Sequence, residues 1–351
     1  MSATTVVLAI CLIGTASASA STPTDAHALH GVSHFDLPLS DTGGARGVTI
    51  DSRRHQLYVA DHDKLLAVDE RTGATTVFAD DVGGNLDEVA VDSVYDEVFA
   101  AQYDEYGHFW VLVFAGAAHS KIATIPVPGG AKALAVDEQT HTVVAVGSAA
   151  GAGSATFIDE EANVVENSVG VGSDPSAVDI DLLAGRVFVA NSTSNSVSVI
   201  DETDRTVAAV INVGEQPAGV AVDRSSGHVF VTLWRGSAVD VIASTRNPTS
   251  GAVTYSTIET LSIPNGPWGV AVDSNTHAVY VATEGAHTAT LLDGLTNELG
   301  ETVGPIDGQP WRVAVDDALH VAFVTGRNSS TIALISPAPE LAPRHGCTFC
   351  L

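Results

Sequence analysis

Short apolar runs of four to seven residues fill this chain, and Gly, Asn, Asp and Ser clusters separate them. The runs are rich in Val and alternate large and small side chains. In GVAVD (219–223), Val220 and Val222 flank Ala221; the same holds around Ala271 and Ala314. Successive residues of a strand face opposite sides, so each such strand has one bulky face and one slim face. No stretch keeps a long 3.6-residue period, which predicts almost no helix. One phrase recurs: GVTID ending at Asp51, EVAVD at Asp92, ALAVD at Asp137, AVDID at Asp181, GVAVD at Asp223, GVAVD at Asp273 and RVAVD at Asp316. The spacings are 41, 45, 44, 42, 50 and 43 residues, about the length of one propeller blade of four strands.

The pattern predicts an all-β, seven-bladed β-propeller over residues 34–336. The fifth repeat reads as strand a (219–223), b (228–232), c (237–243) and d (254–263). The last repeat has strands a (312–316), b (320–325) and c (330–335) but then runs into prolines. The segment HFDLPLS (34–40) is a spare strand, and lending it to the last blade closes the ring and removes open edges. The Asp that ends each strand a is assigned to a tight turn. Four residues after it stand His55, His141, His277 and His320, but Gly185 and Gly227 in other repeats. A slot shared by His and Gly reads as a turn position, so these histidines are assigned a structural role.

Strings such as QPAGVAVDRSSGHVFVT (216–232) and NSVSVIDETDRTVAAVINVG (195–214) resemble the YVTN-type propeller repeats, relatives of NHL repeats. The resemblance covers about residues 34–336. It implies that the d-to-a and b-to-c loops gather around the channel mouth and that ligands bind there. It does not choose among binding modules, cell-surface proteins, lyases and lactonases.

Repeat alignment assigns residues to that mouth. Five before each anchor Asp come Arg46, Asp87, Lys132, Ser176, Ala218, Trp268 and Trp311; the next position holds Gly47, Glu88, Ala133, Ala177, Gly219, Gly269 and Arg312. The b-to-c loops add Trp234, Arg235, Glu284, His287 and Arg327. Trp with Arg is a common binding composition. Arg46, Trp234, Arg235, Trp268, Trp311 and Arg312 are therefore the candidate ligand-binding residues, with an aromatic channel plug as the alternative.

Candidate metal ligands are Glu88, Asp179, Glu284 and His287, for a divalent ion such as Ca²⁺ or Mg²⁺. Glu88 closes the acidic stretch DDVGGNLDE (80–88), whose oxygens suit such an ion, as do those of YDEYGH (103–108). Asp179 occupies a slot that is Ala in most repeats and requires a partner if buried. Propeller lyases use a Glu and His pair on this face, and lactonases use scattered acidic ligands. The surroundings of Glu284 and His287, ATEGAHTAT, do not match the lyase family closely, and the lactonase pattern needs Glu88 and Asp179 to converge. The chain has no GxSxG, HExxH or P-loop motif.

Charge narrows the partners. Net charge is −27, from 15 basic and 42 acidic residues, which argues against nucleic acid or an anionic membrane. Val6 to Gly14 is an apolar run followed by small residues. Residues 1–20 thus read as a secretory signal, too short for a membrane span, with residues 21–33 as a linker. The tail, 337–351, carries Cys347 and Cys350. In an oxidising compartment this pair is expected as a disulfide, with a redox or metal role as the alternative. These readings describe a secreted monomer that binds a small molecule or protein at the channel mouth. The alternative is a propeller enzyme on the same face: a metal-dependent lyase, a lactone hydrolase or a secondary-metabolite cyclase.

Overall fold

A computed structural model describes residues 30–39 and 44–337. The apolar N-terminal run and the two C-terminal cysteines lie outside these residues. The chain forms seven four-stranded antiparallel sheets. Strand a of each sheet touches strand a of the next, and strand a of blade 7 (Gln309–Asp316) touches that of blade 1 (Val48–Asp51), so the ring is closed. This is the seven-bladed β-propeller that the repeat predicts. Among the described residues the one helical element is a 3-10 turn, Glu284–Ala286, and no helix is long and apolar enough to cross a membrane.

The alternation of strand a sets how blades interlock. Val220 and Val222 of blade 5 pack with Val197 and Val199 of blade 4. Ala221, on the slim face, packs with Val270 and Val272 of blade 6. Cross-strand register puts an aromatic ring of strand b opposite the small residue of strand a, as in Ala221 with Phe230 and Ala314 with Phe323. The small residue leaves room for the ring, and the neighbour's Val face covers both.

The anchor aspartates are turn residues. In all seven blades one carboxylate oxygen accepts the amides two and three residues later, as Asp273 does from Asn275 and Thr276. The residue four after each anchor has positive φ: His55 57°, Asp96 61°, His141 55°, Gly185 60°, Gly227 74°, His277 62° and His320 57°. The histidines also tie blades together. His277 Nδ1 lies 2.6 Å from Asp223 Oδ2, and His320 Nδ1 lies 2.7 Å from Asp273 Oδ2, each crossing to the preceding blade.

The closing strand sits four residues earlier than the sequence pattern places it. His30–Asp36, not 34–40, pairs antiparallel with Thr331–Pro337 of blade 7. Proline explains the shift: Pro38 has no amide to donate, so the ladder ends before it. Leu37 still donates to Ser330 and is buried.

Candidate functional site

Strand a begins with a β-bulge in five blades. The register slips by one residue between Leu86 and Glu88, Pro175 and Ala177, Pro217 and Gly219, Pro267 and Val270, and Pro310 and Val313. An extra residue breaks the ladder and re-aims its side chain. Trp268, Trp311 and Arg312 all stand in such bulges. Four of the five bulges follow a proline, which the ladder tolerates there because it has no amide to leave unpaired. That proline is the signal by which the bulges are legible in the sequence.

Three tryptophans meet at the mouth. Trp234 and Trp268 form an edge contact with centroids 5.5 Å apart, and Trp268 stacks on Trp311 at 3.8 Å and 22°. Arg235 lies over Trp234 at 5.5 Å, and Arg327 lies over Trp311 at 3.3 Å. The result is one ladder, Arg235–Trp234–Trp268–Trp311–Arg327, spanning blades 5, 6 and 7. Trp311 is buried, sandwiched between a ring and a guanidinium. Trp268 Nε1 is buried without a hydrogen-bond partner. Trp110 stands apart, against His108 at 5.8 Å. The ladder depends on close backbone approach between blades: a Cβ on Gly269 would lie 2.3 Å from the Trp311 carbonyl oxygen.

Arg46 closes the other side of the mouth. Its guanidinium donates to Asp87 at 2.8 Å and to the Tyr103 hydroxyl at 3.0 Å, joining blade 1 to blade 2. Arg312 turns the other way. Its Nε lies 2.8 Å from Glu88 Oε2, spanning from blade 7 to blade 2. Blade 1 lies between them and carries Gly47, where a Cβ would come within 2.7 Å of Glu88 Oε1. Burial pushes the Glu88 carboxyl up to about 7, although Arg312 pulls it down.

Below the mouth the inner strands of all seven blades enclose a cavity of about 490 Å³. Its upper level carries the Glu88–Arg312 pair. A second pair, Asp179 and Arg224, lies 3.4 Å apart on its wall. Asp179 also accepts the amides of Val222 and Ile180 at 2.8 Å each. Strand a has a free inner edge, and Asp179 satisfies one of the amides on it. Burial raises the pKa of Asp179, and Arg224 and these amides oppose the rise.

The four candidate metal ligands are not brought together. Glu88 holds Arg312 and Asp179 holds Arg224. Glu284 accepts from Trp234 Nε1 at 3.0 Å, and His287 Nδ1 contacts the Gly308 carbonyl. Among the described residues, two groups of three His, Asp or Glu side chains place their ligand atoms close enough for a metal, and neither group contains any of these four. The six candidate ligand-binding residues all sit at the mouth, but Arg46 and Arg312 spend their charge on Asp87 and Glu88.

No family model and no curated protein sequence matches the chain. Solved structures do. Hydrazine synthase from Kuenenia stuttgartiensis superposes with a TM-score of 0.69 at 18% identity, covering 86% of this chain and 96% of that one. A chain of the mitotic checkpoint complex superposes with a TM-score of 0.73 at 12% identity, covering 95% and 99%. At these identities the likeness is one of fold: a seven-bladed propeller.

Proposed function

We propose that this protein is a secreted binding propeller of the YVTN or NHL-like repeat class. It takes its ligand, an anionic or aromatic small molecule, through the channel-mouth face and works as a monomer. The observation that carries the reading is the Arg–Trp–Trp–Trp–Arg ladder. Arg235 and Arg327 bring positive charge to this rim in a molecule of net charge −27, while Arg46 and Arg312 are paired with Asp87 and Glu88. Rigid aromatic and guanidinium groups at a pocket rim lose little entropy on binding. Trp268 Nε1, buried and unpartnered, suits an acceptor oxygen. Secretion rests on the apolar run near the N-terminus.

The test is tryptophan fluorescence titration with a panel of anionic aromatic compounds. Trp234→Ala and Arg235→Ala should each weaken any hit at least about tenfold, the loss of a ~1.4 kcal/mol contact. Unchanged affinity in both variants would exclude this half of the mouth.

One observation favours a second reading, a propeller enzyme on the same face. Glu88 faces the cavity with its carboxyl pushed up to about 7. A group half-protonated near neutrality is suited to giving or taking a proton. Glu88→Gln should then abolish turnover while leaving ligand affinity intact; turnover that survives the change rules out this role.

A further inference from the structure

The face opposite the Trp ladder carries the a-to-b and c-to-d turns. At the seam of blades 2 and 3 it brings together three residues. Asp92 ends strand a of blade 2 (Asn85–Asp92), His141 lies in the a-to-b turn of blade 3, and Glu160 follows strand c of blade 3 (Ala152–Asp159). One ligand atom from each lies within 4.8 Å of the other two. Asp92 and Glu160 are 0% and 1% exposed.

Outside the trio the ligand atoms lack partners; within it the Glu160 carboxyl faces that of Asp92. Asp92 Oδ1 is taken by the amides of Val94 and Tyr95. Asp92 Oδ2, His141 Nδ1 and both carboxyl oxygens of Glu160 are buried with no hydrogen bond. Such groups are costly to bury unless something compensates them. His141 Nδ1 lies 3.5 Å from Asp92 Oδ2 and 3.8 Å from a Glu160 oxygen. These separations are long for hydrogen bonds. They are near the ~3.4 Å ligand–ligand edge of a tetrahedral ion with bonds of about 2.1 Å. Tyr95 stacks on the imidazole at 3.9 Å and 14°, which fixes its plane. Glu97 and Glu138 add negative charge around Glu160.

The related trio of His55, Glu70 and Asp316, at the seam of blades 7 and 1, also buries Glu70 Oε2 and Asp316 Oδ2 without a hydrogen bond but differs at its imidazole. There His55 Nδ1 is hydrogen-bonded to Glu70, and Arg71 Nη2 lies 2.7 Å from His55 Nε2. That imidazole is committed on both nitrogens, and a guanidinium stands beside it.

We propose that Asp92, His141 and Glu160 bind one divalent transition-metal ion, of the zinc type, that clamps blade 2 to blade 3. One imidazole nitrogen and two carboxylate oxygens are a ligand set this ion accepts. Two carboxylates and a neutral imidazole balance its charge. The site lies on the face away from the mouth and does not depend on what the mouth binds.

The experiment is calorimetric titration of zinc chloride into metal-free protein carrying Cys347→Ser and Cys350→Ser, which removes the thiols as competing ligands. One zinc per chain and a rise in Tm are expected. His141→Gly keeps the left-handed turn, since Gly185 and Gly227 hold that slot in blades 4 and 5. It should weaken zinc at least about tenfold and cancel the rise in Tm. Glu160→Gln, nearly isosteric, should do the same, and it decides the matter alone if His141→Gly fails to fold. His55→Gly should leave the titration unchanged. Absence of zinc binding in the parent, or equal affinity in His141→Gly and Glu160→Gln, overturns the proposal.

Discussion

Arg312 and Glu88 meet across the channel mouth, Nε to Oε2 at 2.8 Å, although a whole blade lies between the blades that carry them. The pair exists because Gly47 of the intervening blade leaves its space empty. Removing one partner of a buried pair strands the other. Arg312→Ala should therefore cost about 3 kcal/mol at pH 8, where Glu88 is charged. At pH 5 Glu88 is largely protonated, and the same change should cost about 1 kcal/mol, the loss of one neutral polar contact. Urea unfolding at the two pH values measures the difference; equal costs would show that the charge of Glu88 is unimportant.

Four buried glutamates lower the stability as pH rises. Burial pushes Glu70, Glu88 and Glu202 up to about 7 and Glu160 up to about 9, and Asp316 beside Glu70, Asp137 beside Glu202 and Asp92 beside Glu160 add to the rise. Their ordinary value is 4.5. Between 4.5 and 7 the folded state holds more protons than the unfolded state, so stability falls as pH rises. The contribution is complete below about 4.5 and is lost as pH passes about 7 for three of them and about 9 for Glu160. Aspartates such as Asp223 act oppositely: burial raises its carboxyl, but His277, Ser226 and backbone amides together bring it below the ordinary value. The Tm of metal-free protein should thus peak near pH 5 and fall by pH 8. Glu202→Gln should flatten that fall.

The first described strand is the last strand of blade 7. Phe35 lies 6.5 Å from Phe323, and Leu37 is 5% exposed. Starting the chain after Asp36 uncovers the edge of Thr331–Pro337 and breaks the ring. That truncation should abolish a single cooperative transition in calorimetry. Phe35→Ala should cost about 2 kcal/mol, less than for a fully buried phenylalanine. An unchanged Tm in the truncated chain would refute closure by this strand.

The His277 turn separates backbone from side-chain effects. At φ 62° glycine is unstrained, whereas a β-branched residue is strained. His277→Gly should cost about 1–2 kcal/mol through the lost bond to Asp223. His277→Val should cost roughly 1–3 kcal/mol more through backbone strain. Denaturant unfolding of the two variants gives both numbers.

The mouth was partly legible before the fold. Alignment on the anchor Asp placed Trp268 and Trp311 at equivalent positions of neighbouring blades, with Arg312 one residue on, and the structure joins the two tryptophans to Trp234 and Arg327. It did not reveal that Glu88 and Arg312 partner each other, because they belong to repeats that are not neighbours in sequence. Nor did it show that Asp179 is held by the amide of Val222 in the next blade. The seam trio of Asp92, His141 and Glu160 was equally hidden: its histidine occupies a slot that the repeat explains as a turn.

By itself the sequence determined the number of blades, the alternation of strand a, the turn at each anchor Asp and the need for a closing strand. These follow from local rules that act within one repeat: side-chain period, turn chemistry and unpaired edges. Only the tertiary structure decided which charges meet, where the bulges turn the tryptophans, and which buried oxygens are left without partners. Those outcomes depend on how neighbouring blades dock, and a carboxylate's proton affinity follows from the burial and charges that docking creates.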